Sequence, residues 1–325
     1  MISVIFPTRN RAELLGPALD SVVSQTLPPE QFEIIVVDNG STDHTAEIVN
    51  RYKKQVTNLS YVYAKEPGLH IGRHEGMLSS KGEILVFADD DIEAFPTWLE
   101  SIEEAFQEPN VAMVGGNNLP MFLEPPPPWL LKMWEQSDQF GIKQVSALSI
   151  IEFPADSNEI SPYQVWGCNY AIRKKVLLSA GGFHPDGMPK ELIRFRGDGE
   201  THVSRYVVEN EMKCIFHAGA SVYHKVTPER MTHNYFRMRG FNQGISNSFA
   251  ALRNNKVPDK KNNRNLFRRA ASWCFRKIRD LKSDRNINQA IKQMREGQKE
   301  GYAYHQKAYQ EDTEVRAWVH REQYY

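Results

Sequence analysis

The chain has 325 residues, 41% of them hydrophobic and 25% charged, enough to bury a sizeable core in one large or two small domains. Lys plus Arg number 40 and Asp plus Glu 40, a formal net charge of zero, which argues against a protein that coats nucleic acid. Three widely spaced cysteines, Cys168, Cys214 and Cys274, make neither a disulfide framework nor a zinc pair, so a reducing, cytoplasmic compartment is expected.

The apolar, β-branched run Ile2–Phe6 reads as a buried strand. It is too short for a signal peptide and is interrupted by Pro7. A helix is expected from about Leu14 to Ser24, with Leu15, Leu19, Val22 and Val23 on one face. Glu33–Asp38 (EIIVVD) reads as a second buried strand, and GSTDHT then supplies turn and N-cap chemistry for a helix through Tyr52. A strand at Ser60–Glu66, a helix at Ile71–Ser80 and a strand at Glu83–Asp91 follow. This alternation predicts an α/β fold with a mostly parallel sheet flanked by helices. Ligands of such sheets bind beyond the C-terminal strand ends. Thr8-Arg9-Asn10, Asp38-Asn39 and Asp89-Asp90-Asp91 each follow a strand directly.

Further on, four prolines, Pro125–Pro128, precede WLLKMW; they read either as a rigid linker or as a wall beside a substrate. Structured pattern resumes over residues 165–225, and from Lys256 the composition turns basic and polar. No run of about 18 apolar residues occurs, so no membrane span is expected. Residues 264–285 have helical spacing of Leu266, Ala270, Cys274, Ile278 and Leu281 among many Lys and Arg. That is either a helix packed on the body of the protein or a peripheral contact with the inner face of a membrane. The final stretch, 289–325, is expected to be helical.

The carboxylate triplet carries the sharpest chemistry. Three adjacent acids repel one another unless a cation is shared, and Mg²⁺ or Mn²⁺ takes oxygen ligands. Along a strand Asp89 and Asp91 would point one way and Asp90 the other. A solvated acidic turn is the plain alternative.

Four segments in this order, SVIFPTRNRAELLGPALDSVVSQT, EIIVVDNGSTDHT, GRHEGMLSSKGEILVFADDD and GGFHPD…FRGDGETHVSRYV, resemble the family 2 inverting glycosyltransferases with the GT-A fold. The resemblance covers residues 1–245 and implies a nucleotide-binding half (1–118) and an acceptor-binding half (119–245); the composition beyond it is read as a helical basic extension (246–325). The resemblance implies a divalent metal on Asp91 and His224, with Asp89 and Asp90 reaching the ribose and donor sugar. It implies further donor contacts from Pro7, Thr8 and Arg9, from Asp38 at the base, from Arg73 at the diphosphate, and from Trp166 and Asn169 at the sugar. A surface arginine remains the plain alternative for Arg73, and core packing for Trp166. His70 and His74, flanking Arg73, are expected on a solvated face. Trp129 and Trp134 are weaker candidates for stacking on an acceptor.

The family's Glu-Asp pair is replaced here by Gly197-Asp198-Gly199-Glu200, so either Asp198 or Glu200 could be the base that deprotonates the acceptor hydroxyl, with Asp198 slightly favoured. The donor implied is a UDP-sugar first, with GDP- or dTDP-sugars open. The acceptor is a glycan, a lipid-linked sugar or a small molecule, and the setting is polysaccharide or glycoconjugate synthesis. A sugar nucleotidyltransferase would need a glycine-rich phosphate loop where PTRNRAE stands, and a dinucleotide enzyme would need GxGxxG there. A non-catalytic binding module of the same fold would be expected to lack one of the two acidic stations, yet both are present.

Overall fold

The computed structural model describes residues 1–154, 159–254 and 284–325. Residues 264–283 of the basic stretch, and with them the membrane reading, lie outside the described residues, as does Cys274.

The first half builds β1 (Ile2–Thr8), α1 (Ala12–Val23), β2 (Phe32–Asp38), α2 (Thr45–Lys53), β3 (Leu59–Tyr63), α3 (Leu69–Ser79), β4 (Ile84–Ala88), β5 (Ile92–Ala94), α4 (Trp98–Ala105) and β6 (Val111–Gly115). The second half continues with β7 (Asn118–Phe122), α5 (Pro128–Trp134), β8 (Lys143–Val145), β9 (Ile150–Glu152), β10 (Asn169–Arg173), α6 (Lys174–Ser179), α7 (Thr201–Glu209), β11 (Lys213–Phe216) and β12 (Val222–Val226). Three more helices follow: α8 (His233–Arg253), α9 (Arg285–Glu311) and α10 (Thr313–Val319).

Seven strands form the main sheet in the order β11-β6-β10-β4-β1-β2-β3. β1 pairs in parallel with β2 and β4, and β2 in parallel with β3, while β10 runs antiparallel to β4 and β6. The mostly parallel α/β sheet expected from the sequence is therefore present. Because side chains alternate along a strand, its two faces feed two cores. Val4, Phe6, Ile34, Val36 and Val86 enter one, with Leu15, Leu19 and Trp98. Ile5, Ile35, Val37, Leu85 and Phe87 enter the other, with Met77, Tyr170 and Phe183. Burial on both faces explains why these strands read as continuous apolar runs.

A second sheet, β5-β12-β7-β9-β8, stands beside the first. Its third core holds Trp129, Leu130, Trp134, Phe236 and Ile287. Trp129 and Trp134 are buried there, which corrects their reading as acceptor platforms: two indoles are the largest apolar bodies α5 offers, and the core takes them.

The carboxylate strand also ends earlier than expected. β4 stops at Ala88, and the triplet forms the turn into β5. Asp89 to Asp91 lie beyond the main sheet's ladders, because β1 pairs with β4 only as far as Phe87 and β10 only as far as Ala88.

Candidate functional site

The C-terminal ends of β1, β2 and β4 lie together, joined by β12. The loop after β1 is held to the loop after β2: the Asn10 side chain accepts from the Thr42 amide at 2.7 Å, and Asp43 accepts from the Ala12 amide at 3.1 Å. Asp38 ends β2, and both its oxygens are engaged, one by the Ser41 amide at 2.8 Å and one by the Tyr61 hydroxyl at 2.8 Å.

At the end of β4 the three acids separate. Asp90 turns toward β1, where the Thr8 hydroxyl donates to it at 2.7 Å and Arg11 Nε sits 3.0 Å away. Burial pushes its carboxyl up to about 7. Asp91 turns the other way, and His224 Nε2 of β12 lies 3.3 Å from its Oδ1. Arg11 Nη2 and Arg230 Nη1 reach its Oδ2 at 2.6 and 3.2 Å. Burial works against its charge, but His224 and the two guanidiniums hold its carboxyl far below the usual range. One ligand atom each from Asp89, Asp91 and His224 lies within 4.8 Å of the others. His224 is placed there by β12, whose antiparallel pairing sets it opposite Ile92, the residue after Asp91.

The chemistry of this set fits a divalent cation. Two carboxylates and an imidazole are ligands for a hard or borderline ion. Asp91 Oδ1 and His224 Nδ1 are both buried, and neither makes a well-formed hydrogen bond.

Arg73 of α3 connects the acids to the second acidic station. It is 2% exposed; Nη1 lies 3.4 Å from Glu200 and Nη2 3.9 Å from Asp89. A Cβ on Gly167 would come within 2.0 Å of Nη2, so only glycine leaves the guanidinium its place. The same Glu200 accepts from the Gly167 amide at 3.4 Å.

Asp198 is placed differently. His184 Nδ1–H donates to its Oδ1 at 2.5 Å, and Arg205 reaches its Oδ2 at 3.1 Å. Burial disfavours its charge, but these partners keep the carboxyl below its ordinary value. Gly199, at φ +53, turns the chain between the two acids, so they address different neighbours. Glu200, not Asp198, shares Arg73 with the triplet.

Other expected site residues divide. Thr8 and Asp90 meet each other. Pro7 is buried in β1, where a Cβ on Gly72 of α3 would touch it at 2.9 Å. Arg9 is exposed, and Arg11, two residues on, is the arginine that reaches the acids. Trp166 is half-buried, its indole donating to the Tyr163 carbonyl at 3.1 Å. The Asn169 amide is occupied inside the protein: it accepts from the Trp98 indole and donates to the Ala220 carbonyl, both at 3.0 Å.

His70 and His74 are 1% and 2% exposed, which overturns the solvated face expected for them. The Phe183 amide donates to His74 Nε2 at 2.9 Å, so Nδ1 carries the proton and donates to the Tyr324 carbonyl at 3.2 Å. The C-terminal segment covers this helix face, which a pattern read within α3 cannot reveal. Arg11 and Arg230 escaped the sequence reading as well. Arg11 stands in the quoted RNR run at a strand end, a signal that was present. Arg230 lies in a 3-10 turn after β12, and only the fold brings it to Asp91.

Residues 3–161 match the family described as glycosyl transferase family 2. Glycosyltransferase AglE of Haloferax volcanii is 38% identical over 117 residues, 36% of this chain and 38% of that protein. The poly(ribitol-phosphate) beta-glucosyltransferase of Bacillus spizizenii is 38% identical over 92 residues, 28% of this chain and 14% of its own length. The chain thus spans well under half of these curated relatives. A glucosyl-dolichyl phosphate glucuronosyltransferase of Haloferax volcanii is 22% identical over 279 residues, covering 80% of each protein. Among solved structures, a mannosyltransferase from Pyrobaculum calidifontis in complex with GDP-Man and Mn²⁺ superimposes with TM-score 0.55 at 19% identity, over 99% of this chain and 83% of that one. Residues 1–349 of TarS from S. aureus in complex with UDP-GlcNAc give 0.53 at 16% identity, over 95% and 91%. These likenesses establish the GT-A fold.

Proposed function

We propose that this chain, a member of glycosyl transferase family 2 through residues 3–161, is a metal-dependent inverting glycosyltransferase that moves a sugar from a nucleoside diphosphate to an acceptor hydroxyl. The observation that carries the reading is the convergence of Asp89, Asp91 and His224 at the strand ends, with Arg73 joining that cluster to Glu200.

Asp91 and His224 would hold Mn²⁺ or Mg²⁺, with Asp89 beside them; the imidazole favours Mn²⁺. Bound there, the ion would neutralise charge on the departing diphosphate. Glu200 takes the proton of the acceptor hydroxyl as that oxygen forms its bond to the anomeric carbon and the bond from that carbon to the diphosphate breaks. Arg73 orients Glu200. Asp198, tied to His184 and Arg205, supports the turn rather than the reaction. This assignment reverses the slight preference drawn from the sequence. UDP-sugars are the first donors to test, then GDP- and dTDP-sugars.

The test is a thermal-shift series with UDP, GDP and dTDP, with and without Mn²⁺, on the wild type and Asp91→Ala. A ligand at a hundred times its Kd stabilises the native state by about 2.7 kcal/mol. A Mn²⁺-enhanced shift with one nucleotide, absent in Asp91→Ala, is expected and would name the carrier. No shift with any nucleotide would remove the donor site and the proposal with it.

A further inference from the structure

Three guanidiniums face the four carboxylates of the site, and they are not equivalent. Arg73 is shared between Asp89 and Glu200. Arg11 is anchored by a second acid, its Nε lying 3.0 Å from Asp90. Arg230 has one carboxylate partner, Asp91, at 3.2 Å. Its remaining contacts include no carboxylate: the Lys225 and Leu148 carbonyls at 3.2 Å each, His224 Nε2 at 3.5 Å, and the Tyr235 ring 5.7 Å beneath its central carbon. Its Nε, buried, has no partner.

Arg230 Nη1 therefore touches both residues offered as metal ligands. A divalent cation on Asp91 and His224 would stand within contact distance of a fixed positive charge, and the two repel. Arg230 cannot give up its charge, since a guanidinium stays protonated in proteins. What makes cation and arginine compatible is an anion lying between them. A divalent ion would add positive charge beside three guanidiniums that already face these acids, and a diphosphate is the anion that answers it.

We infer that Arg230 couples metal binding to diphosphate binding. It weakens the cation alone and strengthens the cation and nucleotide together, so that neither is held firmly without the other. This inference rests on the donor site proposed above. Its geometric basis is the position of Arg230 on Asp91 and His224 together with its unpartnered Nε. A purely structural arginine would not give effects of opposite sign on the two ligands.

The experiment is calorimetric titration of Mn²⁺ alone, and of UDP, GDP or dTDP in saturating Mn²⁺, into the wild type and Arg230→Gln. Charge-assisted hydrogen bonds of this kind correspond to roughly tenfold changes in binding. Arg230→Gln is expected to bind Mn²⁺ alone roughly tenfold tighter and the nucleotide with Mn²⁺ roughly tenfold weaker. Weakening of both, or Mn²⁺ affinity unchanged, would overturn the coupling while leaving the donor site standing. If the wild type itself binds no nucleotide with Mn²⁺, the donor-site reading fails first. Should Arg230→Gln not fold, Arg230→Lys carries the test, because it keeps the charge but loses the fork. It should then bind nucleotide more weakly with Mn²⁺ affinity close to wild type, and unchanged nucleotide affinity would overturn the inference.

Discussion

At the scale of single residues, the division of labour between Asp198 and Glu200 turns on one glycine. Gly199 adopts φ +53, and a Cβ there would lie 3.0 Å from an Asp186 carboxylate oxygen. The acids on either side consequently face different neighbours: Asp198 meets His184 and Arg205, and Glu200 meets Arg73. Glu200→Gln should lower kcat by about 10²–10⁴-fold, the usual contribution of a general base, while the Mn²⁺-dependent nucleotide shift persists. Asp198→Asn should instead lower the melting temperature, because it breaks a buried pair, and retain most of the kcat of the folded fraction. The reverse pattern would return the base to Asp198. The sequence held both acids and the glycine but not this choice, since the partners of Asp198 lie 14 and 7 residues away and are named only by folding. The triplet could be picked out because it directly follows a strand, whereas His224 was marked by the resemblance and lies inside β12. Asn169 was misjudged because a polar residue at a strand start looks the same whether it faces a ligand or, as here, joins Trp98 to Ala220.

At the scale of elements, the central parallel strands β1, β2 and β4 could be read because each is a largely apolar run followed by polar residues. The second sheet could not, since its strands are three to five residues long and pair across large separations, as Val222 does with Asn118. The C-terminal helices show the same limit. α9 agrees with the helix expected at 289–325, yet glycines in a helix interior read as weakness. Here they are the contact. α8 and α9 run parallel, touching at Gly240, Gly244, Gly297 and Gly301, where a Cβ would come within 1.9–2.1 Å of a backbone carbonyl oxygen of the facing helix. No side chain can rotate away from such a clash, so the helices would have to part. Gly301→Ala should cost about 1–3 kcal/mol, as overpacking does. Urea unfolding would show it as a lower midpoint at constant slope, and a midpoint equal to wild type would contradict the close crossing.

At the scale of the whole molecule, the last residues clasp the two halves together. The Trp318 indole donates to the Phe195 carbonyl at 2.7 Å, Arg253 donates to the carbonyls of Val319 and Arg321, and the Tyr324 carbonyl accepts from His74 of α3. Beneath this clasp lie His70, His74, His184 and His202, with the last two rings stacked 3.8 Å apart; His305, paired with Ser248, is buried farther along α9. Burial lowers all five, His74 to about 3 and His70, His202 and His305 to about 4. An imidazole whose folded pKa lies below its unfolded value of about 6.5 takes up its proton first in the unfolded chain. The unfolded state then binds more protons, so stability falls as pH drops from about 6.5 toward 4. At 1.36 kcal/mol per pKa unit, each histidine can cost up to about 2 kcal/mol by pH 5. Asp89 and Asp90, both raised by burial and Asp90 to about 7, act in the opposite sense, but with two protons against five. The histidines outnumber them and dominate the slope. The urea midpoint should therefore fall steadily between pH 7 and pH 5. His74→Gln should make the fall shallower, because an amide can accept from Phe183 and donate to Tyr324 without titrating. A midpoint that stays level or rises toward pH 5 would mean that these histidines gain protons inside the fold, and the clasp would then have to open around them.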